Sequence, residues 1–245
     1  MICITFDTDH MSNVDMERFL EICPFPGKGT FFAHSFFDCL DKSKHEIGPH
    51  PFVNDLSNWR EALKLVEAPW SRNFKGIRTH SCVTSNKVCV DLNDLGYLWS
   101  SNVEELFSDN LAPYRHPWGI WELPIYYMDN MDFSMVEAWP GLEHEAFQEN
   151  VITQAVNGDA LYIFDFHPLH LALNTRSSAD YIRVQSQIFE EKMSPFDLTF
   201  EGRGVRIFFN ELCSAMQKLE QKSYGCSEAL EHFIENSTKH TNKRQ

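Results

Sequence analysis

The chain has 245 residues and a formal charge of −14 with neutral histidines, from 21 Lys and Arg against 35 Asp and Glu. At 43% hydrophobic and 23% charged residues, its composition excludes disordered, collagen-like and coiled-coil architectures. The acidic balance argues against nucleic-acid binding, which needs clustered Lys and Arg.

A chain of this size buries roughly 70–75% of its unfolded surface, enough for one core without disulfide staples. One domain over residues 1–236 is expected, followed by a flexible tail over 237–245. The seven cysteines are odd in number and contain no C-x-x-C pair, so most are expected as small core residues. No run approaches the ~20 apolar residues that span a bilayer. The opening Met1 to Asp7 carries neither a basic segment nor a long apolar stretch of the secretory kind, so a cytoplasmic location is expected.

In chain order, residues 2–6 are apolar and suit a buried strand, followed by Asp7-Thr8-Asp9-His10. Ser12 or Asn13 caps an expected helix carrying Met16, Phe19, Leu20 and Cys23, which Pro24 and Pro26 stop. Gly29 to Ala33 suits a second strand, and Phe36, Phe37 and Leu40 a short helix. His45 to Gly48 is a third strand, ending at Pro49-His50-Pro51. Ser57 caps a predicted helix with Trp59, Leu63 and Val66 on one side. Lys75 to Ile77 leads into Arg78-Thr79-His80-Ser81, and Thr84 to Leu95 suits a helix ended by Gly96. Tyr97 to Trp99 is strand-like, Pro113 to Trp121 a loop, and Ile120 to Ile125 a strand. Glu143 to Val156 is predicted helical. Ala160 to Phe166 is a strongly apolar strand opening on His167-Pro168, and helices are expected near 177–192, 210–221 and 226–236. Strands alternating with helices imply an α/β fold with a mainly parallel sheet or barrel. Asp7, Asp9, His50, Arg78, His80 and His167 each follow an apolar run, and in such folds strand ends share one face.

These segments, in this order, resemble the polysaccharide deacetylases, the family-four carbohydrate esterases. Thr5-Phe6-Asp7-Thr8-Asp9 is similar to the opening T-F-D-D in its spaced form. Gly29-Thr30-Phe31-Phe32 resembles the A-T-F-F strand, and His45-Glu46-Ile47-Gly48-Pro49-His50 matches H-E-I-G-x-H. Gly76-Ile77-Arg78 resembles the arginine motif, and Phe166-His167 the strand bearing the catalytic histidine. Two departures stand out: the usual second metal histidine, four residues after the first, falls on Asn54, and the arginine motif continues as Thr79-His80-Ser81. E-I-G-x-H-P, R-x-H-S, E-L-P and F-H-P-x-H together resemble a divergent branch associated with surface-polysaccharide or O-antigen loci.

The resemblance implies a distorted, incomplete (β/α) barrel with C-terminal helices. It also implies a metal-dependent hydrolase that removes N-acetyl groups from a nucleotide- or lipid-linked sugar. Asp7 would be the general base, Arg78 its ion-pair partner, His167 the general acid, and Asp129 the carboxylate that tunes His167. Asp9 and His50 would bind a divalent ion, zinc first, with cobalt, manganese or nickel as alternatives. His80 or Asn54 would complete the set, imidazole being the stronger zinc ligand. Trp118, Trp121, Tyr126 and Tyr127 are candidates for sugar stacking, although aromatic runs are more often core. His170 is expected to be structural, and His10, His34 and His45 receive no role. Two other readings are a non-catalytic sugar-binding relative and another barrel metal hydrolase, such as a phosphoesterase.

Overall fold

A computed structural model of the chain describes residues 1–53, 56–138, 141 and 143–241. Nine strands and ten α-helices follow one another among these residues. They are β1 Ile2–Asp7, α1 Asn13–Ile22, β2 Gly29–Ala33, α2 Asp38–Asp41, β3 Glu46–Pro49, α3 Trp59–Glu67, β4 Gly76–Ile77, α4 Asn86–Asp94, β5 Trp99–Ser100, β6 Tyr114–Arg115, β7 Trp121–Glu122, β8 Tyr127–Met128, α5 Asp129–Ala138, α6 Glu149–Asn157, β9 Tyr162–Phe166, α7 Pro168–Leu173, α8 Ser178–Phe189, α9 Val205–Lys218 and α10 Cys226–Thr241.

The strands form two sheets, β3-β2-β1-β9-β8 and β4-β5-β7-β6. All pairs are parallel except β6 with β7. Backbone bonds from Arg78 N–H to Pro49 C=O (3.3 Å) and from His80 N–H to Pro51 C=O (3.0 Å) join the sheets beyond the ends of β3 and β4. Among the described residues the ladders do not close into one cylinder, and the expected α/β class and incomplete barrel hold.

Residue parity explains how an almost wholly apolar strand can carry polar chemistry. Successive side chains of a strand face opposite sides. Ile2, Ile4 and Phe6 of β1 and Tyr162, Phe164 and Phe166 of β9 turn outward into one core cluster with Phe208, Phe209 and Leu212 of α9. The inward parity holds Cys3 and Ile163, which pack with Phe32, Trp99 and Leu123 at the floor of the barrel. On that same parity, closer to the strand ends, lie Thr5, Asp7 and Asp165, all buried. Both faces of the sheet are covered, so the apolar–polar alternation of a half-exposed strand is absent. Gly76 serves this packing: an added Cβ would meet the Trp99 ring at 1.9 Å.

Several local expectations need correction. The helix predicted from Glu143 starts at Glu149, because residues just before it are drawn into the fold. His144 Nε2 meets Asp132 Oδ1 at 2.7 Å, and Phe147, at φ +62°, donates its N–H to Asp132 Oδ2 at 2.9 Å. Pro113 to Trp121, expected as loop, contains β6. The strand expected over Ile120 to Ile125 is only Trp121–Glu122, since Pro124 has no N–H to continue the ladder. Asn58, not Ser57, occupies the N-cap of α3. Helices α5 and α7 were not anticipated. Finally, α10 runs to Thr241, past the boundary drawn at 236, and residues 242–245 lie outside the described residues. All seven cysteines are free and six are buried.

Ser223 ties the C-terminal segment to the central strand. Its Oγ accepts the N–H of Ile4 at 2.8 Å. Its backbone bonds Pro26 C=O and Lys28 N–H at 2.9 Å each. We propose that residues 1–236 unfold as one unit, with this junction part of it. Ser223→Ala leaves the buried Ile4 N–H unpaired, at a cost of about 1–3 kcal/mol. Urea unfolding should show a single transition moved to lower denaturant; an unchanged midpoint, or a separate transition for the C-terminal helices, would contradict this.

Candidate metal centre and active site

The polar groups gather where parallel strands end. Asp7 closes β1, and Asp9 lies two residues beyond it. His50 follows β3, Arg78 follows β4, Asp129 follows β8 at the start of α5, and His167 follows β9. The Pro168 at the first position of α7 lacks an N–H that a helix start could not use, so the chain turns into the helix directly after His167. A cleft of about 240 Å³ opens here, lined by residues that include Asp7, Asp9, His80, Glu104, Met128 and His167.

Arg78 has no exposed surface. Its Nη1 donates to Asp7 Oδ1 and Thr5 Oγ1, each at 3.0 Å, and to Asp165 Oδ1. Nε donates to the Ser101 carbonyl and Nη2 to the Ser101 hydroxyl, each at 2.8 Å. The guanidinium also lies over the Phe32 ring, 4.3 Å from its centroid. Thus the arginine bonds two strand carboxylates while its remaining donors anchor it to the neighbouring strand end. Burial raises the Asp165 carboxyl above its ordinary value, against the pull of Arg78.

Asp9, His50 and His80 face one another, with their candidate ligand atoms within 4.8 Å. Asp9 Oδ2 lies 3.3 Å from His50 Nε2 and 3.1 Å from His80 Nδ1. His50 Nδ1 is 2.9 Å from the Arg78 carbonyl, which can only accept, so that nitrogen carries the proton. In the neutral ring Nε2 then presents a lone pair toward Asp9, with Asp7 Oδ2 at 3.7 Å. A carboxylate and an imidazole lone pair oppose each other unless a proton or a cation lies between them. Asp9 Oδ1 is buried and has no hydrogen-bond partner among the described residues. One carboxylate and two imidazoles make a donor set suited to a divalent ion such as zinc, and the His50 bond to a carbonyl is the outer-shell contact such ligands use. The residues therefore fit the expected cation.

Burial acts to raise the Asp9 carboxyl, but the charge of His50 and hydrogen bonds from His50 and His80 outweigh it and hold it well below the ordinary range. For His50, burial opposes the charged form while Asp7 and Asp9 raise its pKa above the usual value.

A second group stands beside the first. His167 Nδ1 bonds Asp129 Oδ1 at 2.7 Å, and the His167 backbone N–H donates to Asp129 Oδ2 at 2.8 Å. The same carboxylate accepts from Asn130 N–H at 2.6 Å and meets His170 Nδ1 at 3.4 Å. His167 Nε2 is thereby aimed toward the cleft, 3.9 Å from Asp9 Oδ2. Burial would lower the His167 pKa, yet the Asp129 charge and hydrogen bond prevail and raise it to about 10. Burial keeps His170 below its ordinary value, in keeping with a structural part.

Asp7, Asp9, His50, Arg78, His80, Asp129 and His167 are thus brought together. Asn54 lies outside the described residues. The aromatic expectation is corrected: Tyr126 and Tyr127 are wholly buried and pack against Phe164. Trp121 packs against Phe233, and the Trp118 indole donates to Asn86 Oδ1 at 3.1 Å. None of the four lines the cleft. Asp165 escaped the sequence reading. Its signal was a single acid within the apolar run Tyr162 to Phe166, two residues before His167 and so on the same inward parity.

The WbmS-like polysaccharide deacetylase family matches residues 4–185. A Bordetella bronchiseptica protein assigned as a polysaccharide deacetylase involved in O-antigen biosynthesis has a similar fold, with a TM-score of 0.68 at 17% identity, covering 87% of this chain and 89% of that one. A Mycobacterium smegmatis protein assigned as a polysaccharide deacetylase gives 0.53 at 17% identity, covering 96% and 90%. No curated protein sequence matches. The match over most of the chain places it: the protein belongs to the WbmS-like polysaccharide deacetylase family.

Proposed function

We propose that this protein is a divalent-metal-dependent N-deacetylase acting on an acetamido sugar of a surface polysaccharide or its precursors. The observation that carries the reading is the meeting of Asp9, His50 and His80 with Asp7 and the Asp129–His167 pair on one cleft. The cleft-lining residues include Asp7, Asp9 and Glu104 but no Lys or Arg among those described, which favours an uncharged amide over the phosphoesterase alternative.

Asp9, His50 and His80 would hold the cation, which when bound lowers the pKa of water and polarises a carbonyl. Asp7, oriented by Arg78, accepts a proton from the water that attacks the acetyl carbon. His167 carries a proton on Nε2 toward the cleft and gives it to the sugar nitrogen as the C–N bond breaks, releasing a free amine and acetic acid, which ionises to acetate in water. Asp129 holds the other ring nitrogen and stabilises the cationic imidazole, as a carboxylate partner does for a catalytic histidine. Each proton thus has a named acceptor or donor.

The direct test is acetate release from a panel of N-acetylated sugars, sugar nucleotides and lipid-linked sugars, after chelation and add-back of zinc, cobalt, manganese or nickel. Release restored by metal is expected. No release across the panel from folded, metal-loaded protein would overturn the reading.

Substitutions should separate the roles. Asp7→Asn is expected to lower kcat by about 10²–10⁴-fold while metal stoichiometry stays at wild type. Asp9→Asn, His50→Ala and His80→Ala should lose bound metal by elemental analysis. Equal metal loss from Asp7→Asn would make Asp7 a ligand instead.

The pH profile provides a further check. Folded His167 keeps its proton up to about 10, against about 6.5 when unfolded. Its contribution to stability is therefore complete below the unfolded value and disappears as pH rises through the folded one. A group that must be protonated gives a descending limb of activity on the alkaline side. Asp129→Asn removes the charge that raises the His167 pKa, so this limb should move to lower pH. A limb that stays in place, or moves upward, would exclude His167 as the proton donor.

A further inference from the structure

Phe52, two residues beyond His50, sits among four imidazoles. Its ring stacks on His80 at a centroid distance of 4.1 Å with 29° between the planes. It also approaches His10 and His34 at 6.3 Å and His50 at 6.5 Å. The backbone accounts for the main contact: His80 N–H donates to Pro51 C=O at 3.0 Å, which sets the next residue, Phe52, beside the imidazole.

The two histidines beside Asp9 are held in different ways. The His50 side chain is 1% exposed and its far nitrogen is bonded to the Arg78 carbonyl. The His80 side chain is 31% exposed, and among the described residues no hydrogen bond is made by its Nε2. Directly after it, Ser81 and Cys82 adopt φ +55° and +51°, a region that residues other than glycine enter uncommonly. The aromatic face therefore supplies a restraint on the His80 ring in addition to the contact of its Nδ1 with Asp9.

We propose that Phe52 is a positioning residue for His80, holding Nδ1 toward Asp9 and favouring the cation-loaded centre. This rests on the reading that Asp9, His50 and His80 hold a divalent ion. An imidazole that gives its lone pair to such an ion becomes electron-poor, and the face of an aromatic ring attracts positive charge. The stack thus strengthens on loading, and a ring already in place loses less freedom when it binds.

The test uses the full chain, stripped of metal and titrated with cobalt(II), with the visible absorption band and a zinc competition as readouts. Phe52→Leu keeps an apolar side chain of similar bulk but removes the π face. It should weaken metal binding about tenfold and alter the cobalt band, whereas Phe52→Tyr should restore both. In a His80→Ala background, where the weakened affinity left to Asp9 and His50 is read by titration to millimolar cobalt(II), Phe52→Leu should have no further effect, which a purely structural contribution would not produce. Wild-type affinity and spectrum in Phe52→Leu, or an undiminished effect in the His80→Ala background, would overturn the proposal. Wild-type affinity in His80→Ala would instead overturn the assignment of the metal set. If Phe52→Leu does not fold, Phe52→Met carries the same comparison.

Discussion

A guanidinium without solvent contact sits between two carboxylates from different strands, and the polar interior is organised around it. Arg78 bonds Asp7 of β1 and Asp165 of β9. Its own backbone carbonyl receives the imidazole of His50. Removing such a buried charge leaves its partners uncompensated, at a cost of about 3–5 kcal/mol. A single residue therefore couples three strand ends: its side chain fixes the face of Asp7 and its backbone carbonyl sets the tautomer of His50. Charge balance and site geometry are one constraint here.

The two groups assigned to proton transfer in the proposed reaction, Asp7 and His167, are separated by their surroundings. Asp7 is engaged by a cation on one oxygen, with His50 near the other. His167 is engaged by a carboxylate on the opposite edge of its ring from the cleft. In the proposed reaction the carboxylate paired with Arg78 accepts a proton and the imidazole paired with Asp129 gives one. Beside them lies the Asp9, His50 and His80 set, with His50 Nε2 3.7 Å from Asp7 and Asp9 Oδ2 3.9 Å from His167. His80 comes from the β4 end, not from the segment that supplies His50, and the backbone bond from His80 to Pro51 is what brings the two together.

Much of this was legible in the sequence, for physical reasons. The strands β1, β2 and β9 are buried on both faces, so their apolar runs stand out, and the acids and histidines at their ends break those runs visibly. Asp129 was legible only by its place in an acidic segment; the helix it opens was not. Asp165 was hidden because one acid inside Tyr162 to Phe166 contradicts the apolar pattern until its partner, Arg78, is placed by the fold. Tyr126 and Tyr127 misled for the opposite reason: an aromatic side chain reads alike whether it faces a sugar or a core. The loop over 143–148 depended on Asp132, whose capture of the Phe147 N–H is a contact local periodicity cannot report. Stacking of Phe52 on His80 likewise exists only after β3 and β4 have been aligned.

The central claim is that one carboxylate and two imidazoles from three strand ends share a divalent cation beside Asp7 and His167. Anomalous diffraction at the zinc edge from crystals of the metal-loaded protein tests it most directly. The account predicts one strong peak in contact with Asp9, His50 and His80. A peak elsewhere, or one whose ligands do not include His80, would contradict it.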